Sequence, residues 1–266
     1  MIKIISGWSA EGGSSTAFIN LCNAFNERGI ECKFFGPHEF SRDKCSFGNF
    51  SELSVLPDDN LIFHFLQIPD HIKAKKIVLS VHEQNMFNLA ITNLSKVDTI
   101  HMVAEHQAEY HKVQKYNKPY FILSNVMDKL LPNPKTKEKA VGIIGSIDEN
   151  KQVHISIQKA IADGFKDITL FGKITDNKYY EIAVKPLIQK YKIKGPKFSE
   201  NKQEMYDSIT DVYFSSVREC VPFVIGECKL TGTNLHAIEG KNYLNGVYET
   251  DTDKIINKWK EVFEIV

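Results

Sequence analysis

Long hydrophobic segments and paired cysteines are missing from this sequence. No apolar run approaches the roughly 20 residues that span a bilayer, and Met1 leads directly into Ile2, Ile4 and Ile5, without the basic region and cleavage site of a signal peptide. The five cysteines are an odd number and form no CxxC pair, so neither a disulfide framework nor a zinc site is indicated. We expect a cytoplasmic protein with reduced thiols and no transmembrane segment.

A net charge is missing as well, because 33 Lys and Arg balance 33 Asp and Glu. A neutral protein has no global attraction to nucleic acid or to an anionic membrane, so only a local lysine cluster could make such a contact. We interpret the lysine clusters as solvated surface, and peripheral membrane contact stays open. The 42% hydrophobic content is that of a folded protein, and 266 residues suffice for one large domain or two smaller ones.

Several sequence motifs of known chemistry do not occur. There is no Walker A loop, no GxGxxG fingerprint of dinucleotide binding and no HExxH. His101, His106 and His111 lie near one another, but the spacing of five between the last two does not match that motif. We therefore expect no metal site and no resident cofactor.

What the sequence does contain is a regular alternation of short β-branched or aromatic runs with longer amphipathic stretches. This pattern is typical of repeated βα units and predicts α/β domains with parallel sheets. The run DKLLPNPKTKEKA at 128–140 has two prolines and four lysines and no periodic apolar face, so it predicts a linker between two compact units. Strands are predicted at 3–6, 31–35, 61–65, 77–81, 99–103, 120–124, 141–144, 168–171, 212–215 and 232–235, and helices at 14–28, 105–116, 152–163, 177–191, 222–229 and 252–266.

The most informative segment is DVYFSSVRECVPFVIGECKLTGT at 211–233. A strand leads into a loop that carries Glu219, and Pro222 suits the first turn of the helix that follows. The N-terminal amides of that helix are a potential phosphate site. Glu227 lies eight positions after Glu219.

This segment resembles the E-x7-E motif of retaining GT-B glycosyltransferases of the group 1, or family 4-like, type. The resemblance covers roughly residues 140–235 and implies two Rossmann-like parallel-sheet domains that face each other across a cleft. It implies an N-terminal acceptor-side domain at 1–128, a linker at 129–139, a nucleotide-sugar donor domain at 140–250 and a closing C-terminal helix at 251–266. In that superfamily the first Glu lies by the donor sugar and the second binds the ribose hydroxyls. These roles would fall to Glu219, as a catalytic residue, and to Glu227.

Other donor contacts are implied by the same resemblance. The backbone of Cys220, Val221, Pro222 and Phe223 would hold the diphosphate. The stretch VGIIGSIDENKQVHISIQKAI at 141–161 resembles the first strand, loop and helix of the donor domain, where a lysine pairs with the diphosphate. The further residues placed at the donor by this comparison are Lys151, Gly145, Ser146, Gly172 and Lys173. The sequence departs from the family at Ser146, where a basic residue usually follows the glycine, and Lys173 could supply the missing charge.

The N-terminal half offers fewer candidates. Gly12 and Gly13 precede a helix and would let a ligand approach backbone amides closely, and the resemblance places them near donor and acceptor. His82 follows a strand at its carboxyl edge and is the second candidate catalytic residue, able to position a hydroxyl group. A plain tight turn and a structural histidine remain the alternatives.

The resemblance implies metal-independent transfer of a hexose or pentose from a donor such as a UDP- or GDP-sugar to a hydroxyl acceptor, with retention of anomeric configuration. The acceptor could be a glycan, a lipid-linked sugar, a protein or a modified nucleobase. Three other classes stay open: a sugar-nucleotide epimerase, a non-catalytic nucleotide- or sugar-binding protein, and an oxidoreductase.

Overall fold

The chain folds into two compact units. The computed structural model describes residues 1–8, 12–37, 43–83, 93–133, 139–199, 201–238, 241–246 and 248–265. The first unit comprises Met1–Asp128, Gly246–Val266 and Cys220–Pro222, and the second comprises Lys129–Glu219 and Phe223–Asn245. Residues 134–138 of the predicted linker lie outside the described part.

The first unit contains a seven-stranded sheet in the order β3-β2-β1-β4-β5-β6-β7, and its strand pairs are parallel. The strands are β1 (Ile2–Ser6), β2 (Cys32–Phe35), β3 (Phe47–Gly48), β4 (Asn60–His64), β5 (Lys76–Val81), β6 (Thr99–Met102) and β7 (Tyr120–Ile122), and the helices are α1 (Gly13–Asn26) and α2 (Glu105–His111). All residues of β1, β4 and β6 are buried. Burial along the whole strand is expected of parallel strands that are covered on both faces.

The predicted C-terminal helix is present as helix α8 (Thr252–Phe263), although it ends three residues earlier. Asp251 caps it by accepting hydrogen bonds from the amides of Asp253 and Lys254. Its apolar face, with Trp259 and Phe263, belongs to the same buried cluster as residues of β1 and α1. The first unit is thus built from both ends of the chain.

The second unit contains a five-stranded parallel sheet in the order β10-β9-β8-β11-β12. The strands are β8 (Val141–Ile144), β9 (Ile168–Phe171), β10 (Lys194–Lys197), β11 (Asp211–Phe214) and β12 (Asn234–Ala237), and the helices are α3 (Val153–Ala162), α4 (Asn177–Tyr179), α5 (Lys185–Tyr191), α6 (Lys202–Asp207) and α7 (Phe223–Thr231). Two buried clusters form its core. The predicted α/β class is therefore confirmed in each unit.

Some predicted elements differ in detail. The single helix expected at 177–191 is interrupted, because a π-helical segment (Tyr180–Val184) separates α4 from α5. Pro186 lies in the first turn of α5 and has no N–H to donate to the preceding turn, which accounts for the change in hydrogen bonding. The helix expected at 105–116 ends at His111, where Lys112 adopts a left-handed conformation with φ 49°. Strand β3 was not predicted, and its two residues are too few to form a pattern.

Candidate functional site

The order of the strands shows where each sheet can bind a ligand. In the second unit the chain steps outward from β8 to β9 and β10, and then crosses to β11 and β12 on the other side of β8. The order of the strands therefore reverses between β8 and β11. In open parallel sheets, ligands bind beyond the carboxyl ends of the strands at such a switch point.

The turn after β8 packs directly on the turn after β9. The amide of Gly145 donates to the carbonyl of Phe171 at 2.9 Å. A Cβ atom built on Gly172 would lie 1.8 Å from the carbonyl oxygen of Gly145, and one built on Gly145 would lie 3.6 Å from the side chain of Lys151. Gly172 therefore permits the close approach of two backbones, and Lys151 passes beside the turn.

This close packing leads to a stability prediction. We expect Gly172→Ala to lower the free energy of unfolding by about 3 kcal/mol, because backbone rather than a flexible side chain occupies the space of the new methyl group. Gly13→Ala is the control, since its Cβ would meet no described atom within 4 Å. Urea unfolding followed by far-UV circular dichroism measures both, and equal midpoints for the two variants would contradict the packing argument.

The loop between β8 and α3 is organised by Asp148. Its Oδ1 accepts from the backbone amide of Lys151 at 2.9 Å, and its Oδ2 accepts from the hydroxyls of Ser146 at 2.5 Å and Thr175 at 3.2 Å. Ser146 thus helps to fold the loop. It contributes no positive charge to the site.

Lys151 and Glu219 meet at the switch point. The ammonium of Lys151 forms an ion pair with Oε1 of Glu219, and the hydroxyl of Ser216 donates to the same oxygen at 2.5 Å. The side chains are 23% and 15% exposed, so the pair is partly screened by water. The sequence predicted these two residues at one site from different segments, and the structure brings them together.

The loop that carries Glu219 is fixed by neighbours on both sides. Asn150 binds the backbone of Arg218 twice, with its Oδ1 accepting from the amide and its Nδ2 donating to the carbonyl, each at 3.1 Å. The hydroxyl of Tyr243 donates to the carbonyl of Ser216 at 2.6 Å. Burial raises the pKa of Tyr243 to about 12, and the charge of Glu219 adds to the effect. Tyr243 therefore remains a hydrogen-bond donor at neutral pH.

The predicted phosphate-binding segment precedes α7. Cys220, Val221 and Pro222 are buried, and α7 begins at Phe223, one residue later than predicted. The first amides of any helix lack partners within the helix. Because α7 begins at Phe223, Pro222 occupies the position immediately before the helix rather than its first turn.

Glu227, the predicted ribose-binding residue, is a buried carboxylate that is only 3% exposed. The ammonium of Lys202 lies 2.6 Å from its Oε1, and the hydroxyl of Tyr206 donates to its Oε2 at 2.8 Å. Burial raises the pKa of Tyr206 well above its usual value, and the charge of Glu227 adds to this. Sequence analysis missed both partners. Their spacing of four on one helix was the only local signal.

Lys173 follows β9, near the glycine turn. Its ammonium lies 4.3 Å from the ring centroid of Phe198, which is a cation–π distance. Phe198 is itself exposed. Lys173 is thus positioned by an aromatic ring at the end of the neighbouring strand β10.

The first unit has a second polar cluster at its own switch point, between β1 and β4. Nε2 of His64 lies 3.0 Å from both carboxylate oxygens of Glu83, and its Nδ1 lies 2.8 Å from the hydroxyl of Ser6. The hydroxyl of Ser14, in the first turn of α1, donates to Glu83 at 2.8 Å. Glu83 therefore ties the end of β4 to the start of α1. Only its position directly after His82 could have indicated it in the sequence.

Burial opposes ionisation of Glu83 and by itself raises the pKa. The hydrogen bond and the electrostatic interaction with His64, the electrostatic interaction with His82 and the hydrogen bond from Ser14 outweigh burial and lower the pKa of Glu83 to about 2. Glu83 is consequently a carboxylate throughout the ordinary pH range.

His82, the candidate catalytic histidine, has a different environment from that of His64. Its Nε2 lies 3.0 Å from the hydroxyl of Ser80, and its ring packs against Phe18 and His64 with centroid distances of 4.6 and 5.3 Å. Burial lowers the pKa of His82 well below its usual value, and the charge of His64 acts in the same direction. A neutral His82 can donate or accept a hydrogen bond but supplies no positive charge at neutral pH.

Gly12 precedes α1 and Gly13 is its first residue, and no described atom crowds either of them. A Cβ atom built on Gly12 or Gly13 would meet no described atom within 4 Å, and Gly12 has an extended φ of 178°. Residues 9–11 of the same loop lie outside the described part.

The three neighbouring histidines do not converge. His101 contacts Ser80 and the carbonyl of Leu123, whereas His111 contacts the carbonyl of Glu83. Among the described residues, no group of three or more His, Cys, Asp or Glu is arranged to hold a metal ion. The described helices also include none that is long and apolar enough to cross a membrane.

Comparison with known proteins gives a fold and no sequence family. No family model and no curated protein matches the chain. The solved structure of HepE from Anabaena with UDP-glucose matches 99% of this chain and 90% of its own, with a TM-score of 0.67 and 12% identity. The pneumococcal O-GlcNAc transferase GtfA with UDP and GlcNAc matches 98% and 90%, with a TM-score of 0.68 and 9% identity. A glycosyltransferase from Rickettsia africae matches 98% and 88%, with a TM-score of 0.63 and 12% identity.

The chain has the GT-B fold. The seven- and five-stranded parallel sheets account for this likeness. Since the identities are low, the side chains of this GT-B chain have to be interpreted from their own geometry.

Proposed function

We propose that this GT-B chain is a glycosyltransferase that moves a sugar from a nucleotide-sugar donor to a hydroxyl group, with retention of anomeric configuration. The observation that carries the proposal is the pairing of Lys151 with Glu219 at the switch point of the second sheet. The ligands in the similar structures support it, because they are UDP, UDP-glucose and a simple sugar.

The donor would bind along the carboxyl edge of the second sheet. Lys151 and the N-terminus of α7 would bind the diphosphate, since both offer positive charge where a negative leaving group develops. Glu219 would orient the donor sugar, and Glu227 would bind the ribose. We propose that this charge arrangement lets transfer proceed without a metal ion.

In the retaining reaction, the acceptor oxygen forms a bond to the anomeric carbon on the face from which the diphosphate leaves. The bond between that carbon and the diphosphate oxygen breaks with its electron pair, and the proton of the acceptor hydroxyl passes to the departing oxygen. Lys151 would stabilise the negative charge on that oxygen. Glu219 is assigned to orientation and charge, without a covalent intermediate.

We assign the acceptor to the first unit and leave its class open among glycans, lipid-linked sugars, proteins and modified nucleobases. We also propose a cytoplasmic location, because each of the five cysteines, all of them described, is a thiol.

The decisive experiment is donor turnover with a panel of UDP- and GDP-hexoses and pentoses. We expect slow hydrolysis of one donor without acceptor and faster loss of it with an acceptor library. Proton NMR of the first product formed from an α-linked donor should show an α-anomer. A β-product would contradict retention, an epimerised donor would indicate an epimerase, and tight binding without any turnover would indicate a binding protein.

A further inference from the structure

The carboxylate of Glu227 is held by two residues of one short helix. Lys202 and Tyr206 are four residues apart on α6 and therefore lie on the same face of it. Lys202 contacts one carboxylate oxygen and Tyr206 the other. A buried carboxylate needs such partners to remain ionised at low cost.

The two partners differ in their access to solvent. Tyr206 is fully buried, whereas the side chain of Lys202 is 34% exposed. A ligand that reaches Glu227 from solvent would meet the ammonium of Lys202 on the way. Lys202 is therefore the accessible member of the cluster.

The topology places this cluster at the ligand-binding edge. Helix α6 connects β10 to β11, so it begins at the carboxyl edge of the parallel sheet, where Lys202 is its first residue. Helix α7 follows β11 and begins at the same edge, with Phe223 as its first residue. The ammonium of Lys202 lies 5.4 Å from the ring centroid of Phe223.

Lys202 thus contacts α7 at two points, the carboxylate of Glu227 and the ring of Phe223, the first residue of the helix. Glu227 supplies one negative charge. A phosphate group would supply more, and the N-terminus of α7 would bind it as well.

We propose that Lys202 is a binding residue for the phosphate next to the ribose of a nucleoside diphosphate, while Glu227 binds the ribose hydroxyls. This assignment rests on the proposed function and adds to it a cation from α6. The ion pair with Glu227 and the contact with the ring of Phe223 hold the ammonium against α7.

The test compares a nucleoside diphosphate with its parent nucleoside. Calorimetry first selects the diphosphate that the wild-type chain binds best among UDP, GDP, ADP and dTDP. We expect Lys202→Met to weaken binding of that diphosphate at least about tenfold, the typical effect of losing a charge-assisted hydrogen bond. Binding of the parent nucleoside, followed by NMR titration, should change less than threefold.

Matched variants separate phosphate contact from indirect effects. Lys194→Met removes another paired lysine of the same unit, whose partner is Asp167, and should leave both affinities unchanged. Tyr206→Phe removes a hydrogen bond to Glu227 and keeps Lys202, and it should weaken binding of the nucleoside and the diphosphate in equal proportion. Lys202→Arg keeps the charge and should bind the diphosphate within about threefold of wild type. Lys202→Gln replaces Lys202→Met if the latter does not fold by circular dichroism.

Each outcome decides between the two proposals. If wild type binds none of the four diphosphates, the proposed function is wrong, and the role of Lys202 is wrong with it. If wild type binds one of the diphosphates and Lys202→Met binds it equally tightly, only the role of Lys202 is overturned. Equal losses for diphosphate and nucleoside would show that Lys202 acts through Glu227, and would also overturn the phosphate contact.

Discussion

Turnover of the donor is expected to fall about a hundred- to a thousandfold when Lys151 is replaced by methionine, the usual cost of removing one group that stabilises a developing negative charge. Lys151 is a cation at the switch point, and its ammonium forms an ion pair with the carboxylate of Glu219. Because the leaving diphosphate gains charge as its bond to the sugar breaks, the loss should appear mainly in kcat. Steady-state hydrolysis of the donor selected by the panel measures it.

Two controls test whether the effect is local. Lys185→Met removes an exposed lysine that pairs with Glu181 on the surface, so its kcat should match that of wild type. Glu219→Gln keeps the hydrogen bond from Ser216 and removes the negative charge beside Lys151. If Lys151→Met folded normally and retained full turnover, the proposed role of the switch-point pair would be wrong.

The fold was predictable because its signals are local. Buried strands such as β4, with Leu61, Ile62 and Phe63 in succession, contain short apolar runs, and their alternation with helices specifies parallel sheets. The interruption of the helix at 180–184 was in principle visible as Pro186, but the choice between a kink and a π-helical segment depends on packing. Strand β3 has only two residues and no periodicity.

The site was predictable only in part. Lys151 and Glu219 could be placed together because each follows a strand of the same sheet and the resemblance supplied their order. The partners of Glu227 could not be inferred, since Lys202 lies 25 residues away in sequence and belongs to a helix of six residues. In the first unit, sequence analysis selected His82 for its chemistry, whereas the carboxylate that links chain segments is its neighbour Glu83.

Glu83 should contribute to the acid sensitivity of the first unit, beside the buried His82 and His101, whose pKa values are lowered. Its folded-state pKa of about 2 lies below the ordinary value of 4.5, so its charged form stabilises the fold above pH 4.5 and loses this effect as the pH falls towards 2. The gap of about 2.5 between the two values corresponds to about 3 kcal/mol. Glu83→Gln is therefore expected to be about 3 kcal/mol less stable than wild type at pH 7, and the two proteins should become equally stable near pH 2.

The two tryptophans allow this difference in stability to be measured for the first unit alone. Trp8 and Trp259 both belong to the first unit, so tryptophan fluorescence during urea unfolding reports the unit that contains Glu83. Glu52→Gln is the matched control, because Glu52 pairs with Lys33 on the surface of the same unit and should change stability by less than about 1 kcal/mol at any pH. A constant difference in the free energy of unfolding between wild type and Glu83→Gln from pH 7 to pH 2 would show that the loss of stability is steric. In that case the network of His64, Ser14 and Glu83 would not act through the charge of Glu83.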